Sequence, residues 1–171
     1  MFTRCAVVFL GSVSLAACSP TTSAAPPPAE ADAVVETTAL VGAFHGTLTY
    51  KDYSSGKSTT ITAVANAAQR EDAVVIDVSY PKEPGHEETI HLQRMGVGFA
   101  LEGAPLQIRT RPDASTLRLV FERPGVDGND ARPCTLRHVL DIRSARFSLA
   151  KYVRFDGEAN FFERHVYRFE R

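Results

Sequence analysis

A chain of 171 residues, 44% hydrophobic and 23% charged with a formal net charge of −1, is long enough for one domain plus appendages and ordinary for a soluble globular protein. The near-neutral balance argues against a nucleic-acid binder. Of three cysteines, Cys5 and Cys18 fall in the leading segment, so Cys134 stands alone in the remainder and a disulfide framework inside the main domain is excluded.

The first four residues carry two positive charges, the amino terminus and Arg4, and thirteen largely apolar or small residues follow from Cys5 to Ala17. This is the pattern of a secretory signal over residues 1–17. A membrane-spanning helix needs about 20 apolar residues, and the run gives way to Ser, Pro and Thr too soon. Leu15-Ala16-Ala17-Cys18 resembles the lipobox of bacterial lipoproteins. The resemblance implies a diacylglyceryl group on the Cys18 thiol, cleavage after Ala17, and Cys18 as the acylated first residue of the mature chain. Ser19, where a retained lipoprotein would carry Asp, implies passage to the outer membrane, facing the periplasm. The membrane is then a partner through the anchor, and two or three acyl chains at about 0.8 kcal/mol per buried methylene hold far better than one. The other reading is ordinary signal-peptidase cleavage, which a large Leu15 three positions before the cut suits less well.

Residues 18–38 are rich in Ala, Pro, Ser and Thr and lack aromatics, which predicts a flexible, extended linker, with Pro26-Pro27-Pro28 favouring polyproline II. From 39 to 171 short alternating runs separated by turn residues predict a single antiparallel all-β domain. The runs are 41–50 (Phe44, Leu48 and Tyr50 on one face), 57–66, 73–80 (Val74, Ile76, Val78, Tyr80), 88–94, 97–102, 105–110, 116–122 (Leu117, Leu119, Phe121), 134–143, 146–155 and 160–170. Turn chemistry stands between them at Ser54-Ser55-Gly56, Pro81 to Gly85, Pro112-Asp113, the long Arg123–Pro133 stretch and Asp156-Gly157. Ala63 to Glu71 is expected to end in a helical turn. Eight to ten strands with short links suit an up-and-down barrel or a strongly curved sandwich, and the barrel is favoured because closure removes exposed edges. Gly46 to Tyr53, Tyr80 to Gly85 and the terminal RHVYRFER resemble small uncharacterised bacterial lipoproteins with lipocalin-like barrels, over most of 39–171.

Several strings mimic chemical motifs without their geometry. His86 and His91 in HEETIH are five apart, one too many for the helical zinc-protease pair, and on a strand they face opposite ways. SSGKST at Ser54 to Thr59 lacks the first Gly and the following helix of a phosphate loop, so it reads as a hairpin turn. The Asp127–Asp130 loop does not follow calcium-loop spacing and reads as a solvated turn. No metal and no cofactor is expected. Of 18 basic residues beyond the linker 14 are Arg; alternating Arg normally lines the wet face of strands, although guanidinium also recognises carboxylate or phosphate.

Polar residues of inward parity are the most informative feature. His138 alternates with Cys134, Leu136, Leu140 and Ile142; Lys151 with Phe147, Leu149, Val153 and Phe155; His165 with Phe161, Tyr167 and Phe169. A small barrel either fills with side chains or holds one small ligand, so His138, Lys151, His165 and Tyr167 are candidates to orient the head of an apolar or weakly acidic ligand. The competing explanation is a bulge that reverses parity at Lys151. The expected function is a non-enzymatic, membrane-anchored envelope lipoprotein that binds a small amphiphile or an envelope component. The alternatives are an interaction module with a filled core, or a hydrolase, for which no nucleophile–base pair is visible.

Overall fold

The computed structural model describes residues 37–96 and 98–171; the signal and Cys18 lie outside the described residues. Ten antiparallel strands form one closed barrel, β1 (Gly42–Lys51), β2 (Ser58–Arg70), β3 (Ala73–Ser79), β4 (Glu88–Met95), β5 (Gly98–Leu101), β6 (Ala104–Asp113), β7 (Thr116–Asp127), β8 (Arg132–Arg143), β9 (Arg146–Phe155) and β10 (Phe162–Glu170). Each strand pairs with its sequence neighbours, and β1 meets β10 from His45↔Glu170 to Tyr50↔His165, so no full-length edge is left exposed. All ten predicted runs are strands, and the up-and-down barrel is the observed architecture.

Two expectations about local structure fail. Ala63–Arg70 does not end in a helical turn; it continues β2, because Ala63, Ala65 and Ala67 fill inward positions between two paired neighbours, and packing on the pleated wall outweighs the helix preference of Ala. The long turn-like stretch from Arg123 to Pro133 is mostly strand, since β7 runs to Asp127 and β8 begins at Arg132 with only a tight turn between.

The inward side chains pack in two apolar layers. At the end carrying Leu40 and Arg171, Phe44, Ile76, Leu92, Leu101, Leu119, Leu140, Phe147 and Phe169 are buried together. The Phe44 and Phe147 rings meet edge to face at 5.0 Å. A short turn closes this end: Leu40 is fully buried, and Arg171 Nη2 donates to the carbonyls of Ala39 (3.1 Å) and Val41 (2.8 Å). At the opposite mouth a smaller cluster of Cys134, Leu136, Val153 and Phe155 packs against Tyr53 and Phe162. Polar side chains occupy the level between.

Strand lengths interrupt the wall at one place. Pairing of β6 with β7 ends at Leu106↔Phe121, and β5 joins β6 only through Ala100↔Pro105 and Leu101↔Ala104. The mouth-side halves of β4 and β7 therefore have a neighbour on one side only, β3 and β8 respectively. A lateral notch opens between them, above the tip of the β5–β6 hairpin.

Candidate functional site

Register puts one residue from each of five successive strands at the same height: Phe121, His138, Lys151, His165 and Tyr50. Lys151 lies between the two histidines, and its Nζ is 2.9 Å from Asp127 Oδ2. A bulge does occur, but in β10, between Glu163 and His165. Lys151 thus keeps inward parity, and the extra residue, Arg164, stacks its guanidinium on the Tyr53 ring at 4.1 Å. The bulge corrects one expectation: Phe162, not Phe161, faces the interior. Phe161 lies outside, sandwiched against the guanidinium groups of Arg137 (3.8 Å) and Arg154 (4.7 Å). It borders a surface groove of about 530 Å³ on the outer wall.

Tyr167, one step deeper on β10, reaches across the interior. Its hydroxyl is 2.5 Å from that of Tyr80, which donates in turn to Glu88 Oε1 at 2.5 Å. Because the single Tyr80 proton goes to the carboxylate, Tyr167 is the donor to Tyr80. Tyr167 also packs edge-on against His165 at 5.6 Å.

Electrostatics follow from this packing. Burial, reinforced by the Lys151 ammonium, pushes both His138 and His165 down to about 4. Both imidazoles are neutral near pH 7, and His138 Nδ1 is buried without a hydrogen-bond partner in the structure. Burial raises the Tyr80 phenol, helped by its bond to Glu88. Burial and nearby Asp127 raise the Tyr53 phenol to about 12. Burial works to raise Asp127, but the Lys151 ammonium and the Gly128 N–H outweigh it and hold the carboxyl below its ordinary value.

The level is not filled. The inward side chains of Lys151 and Asp127 are 21% and 12% exposed, and Leu48, Tyr50, Ile61, Leu106, His138 and His165 are half-buried although their register points them inward. The polar row is therefore reached by solvent from the mouth side, and Leu48, Ile61 and Leu106 give the same level apolar surface. The arrangement can hydrogen-bond a small polar head and cover an apolar body. Among the described residues no group of three metal-ligating side chains converges.

The barrel is similar to the crystal structure of Rv2717c from M. tuberculosis, with a TM-score of 0.53 at 13% identity, covering 85% of this chain and 98% of that chain. The chain is an all-β closed barrel of that class. No family model and no curated protein matches it.

Of the four inward candidates, His138, Lys151 and His165 share one level, and Tyr167 lies one step deeper against His165. His86 and His91 are exposed on a loop and a strand. Asp127 does not sit in a solvated turn: its carboxylate turns inward to Lys151. Tyr80, Glu88, Asp127 and Arg164 complete the site and were missed. Continuing the period of two along β7 from Phe121 through Arg123 and Gly125 would have given Asp127 inward parity.

Proposed function

We propose that this protein binds a small amphiphile inside its barrel, as a non-enzymatic envelope lipoprotein tethered through Cys18. The observation that carries the ligand reading is the inward yet partly exposed Lys151, set between two neutral histidines at a level it shares with apolar side chains. An inward lysine is costly to bury unless it is paired, and Asp127 supplies that pair; a ligand head would take the remaining donors of the ammonium. A binding role fits better than catalysis because Cys134, the one cysteine among the described residues, is buried and its thiol is raised by that burial. The anchor rests on the Leu15–Cys18 signal alone.

Native mass spectrometry of the protein purified from its own membranes tests both parts. The expected spectrum carries an acyl modification on Cys18 and a co-purifying small molecule that is lost in Lys151→Met. An unmodified amino-terminal residue ends the anchor reading, and a ligand retained in full by Lys151→Met ends the assignment of the polar row.

A further inference from the structure

We propose that Arg123 recognises the head group in this barrel and that the ligand class is a monoanionic, carboxylate-headed amphiphile. The inference rests on the binding role proposed above and adds to it a specificity-determining residue and a chemical class. Arg123 pairs with Leu136 of the inner mouth cluster, so it shares the inward parity of Phe121. A side chain at Gly125, two residues on, would meet Leu136 Cδ1 at 2.6 Å and Arg123 Nη1 at 4.0 Å, which places the guanidinium on the inner face. Arg123 is nonetheless exposed, because it lies on the half of β7 that has no β6 neighbour and forms one rim of the notch.

Its charge is uncompensated. Arg118 is bidentate on Asp141, with both bonds at 2.7 Å, Arg137 meets Glu122, and Lys151 meets Asp127, while Arg154 and Arg164 lie over the Phe161 and Tyr53 rings. No such partner stands opposite Arg123 among the described residues. It is a diagonal cross-strand neighbour of His138, whose buried Nδ1 also lacks a partner. The guanidinium fork matches a carboxylate bidentately, and a neutral imidazole adds one further hydrogen bond. Glu88 on the opposite rim disfavours a second negative charge, so a monoanion fits better than a phosphate dianion. The chain of such a ligand would run from the notch toward Leu106, Phe121, Leu48 and Ile61.

Calorimetric titration of the full chain carrying Cys18→Ser, which needs no detergent, tests this with decanoate, decan-1-ol and decyl phosphate at neutral pH. The expected order places decanoate about tenfold or more ahead of the alcohol and ahead of the phosphate, roughly the worth of one charge-assisted bidentate contact. Arg123→Met should bring decanoate to within about twofold of the alcohol, and Arg123→Lys should restore part of the preference. Thermal unfolding of each variant checks folding; the exposed position of Arg123 predicts no loss. Equal affinity for all three heads, a stronger phosphate, or decanoate binding unchanged in Arg123→Met overturns the assignment while leaving a binding barrel. Failure of all three to bind overturns the binding role itself.

Discussion

Acidification should destabilise the fold in a pH window set by the two inward histidines. His138 and His165 titrate at about 4 in the folded protein, against an ordinary value of 6.5. Below pH 6.5 the unfolded chain takes up these protons while the native barrel refuses them until about pH 4. Stability is therefore complete above pH 6.5, falls as the pH drops from 6.5 toward 4, and levels off beneath that. At about 1.4 kcal/mol per pH unit for each group, each histidine withdraws about 3 kcal/mol across the window, a large share of the 5–15 kcal/mol typical of a domain. Carboxylates act lower: Asp113, held at about 2 by its bonds to Ser115 and Thr116, loses its contribution only as the pH falls below its ordinary 3.8. Urea unfolding at pH 7.5, 6.0, 5.0 and 4.5 reads the effect as a falling midpoint at constant slope. His138→Gln and His165→Gln should each remove about half of the pH dependence, whatever they do to stability at pH 7.5. A wild-type midpoint that stays constant from pH 7.5 to 4.5 would refute the buried, neutral placement of both rings.

Three further outcomes follow from the same geometry. Lys151→Met and Asp127→Asn should each cost about 2 kcal/mol by stranding a partner, and the double variant should cost clearly less than the sum; strict additivity in denaturant titrations would show that the 2.9 Å contact carries no energy. Gly46→Ala should weaken the β1–β10 closure by about 2 kcal/mol or more, because the new methyl would sit 2.0 Å from the Arg168 carbonyl oxygen and 2.7 Å from Phe169 Cδ1; an unchanged melting temperature would contradict that close approach. Cys134, 3% exposed with its thiol raised by burial, should react with Ellman's reagent only on unfolding in the chain carrying Cys5→Ser and Cys18→Ser, and one equivalent of fast reaction in that native protein would place it elsewhere.

The wall of this barrel was legible because its signal is local. Val74, Ile76 and Val78 alternate with outward residues on a single uninterrupted strand, Tyr80 continues the parity just beyond its end, and each is buried as the period demands. The polar row was legible for the same reason, since His138 and Lys151 lie in unbroken stretches of β8 and β9. Parity failed where one strand carries an extra residue: the bulge at Arg164 exchanges Phe161 for Phe162, and nothing in the neighbouring residues announces an insertion that only pairing with β9 reveals. The most consequential misreading was at Pro124 and Gly125, whose types ordinarily mark a turn. A proline is tolerated in a strand where one side of the ladder is missing, and β7 beyond Phe121 has no β6 beside it. The Gly is needed because the Leu136 side chain occupies the space a Cβ would take. One cause, a short β5–β6 hairpin, therefore admits the proline that hides the end of β7 from a sequence reading, opens the notch, and leaves Arg123 facing inward within reach of solvent. The features hardest to read in the sequence are the ones that would admit and select a ligand, since both arise from a strand that stops early.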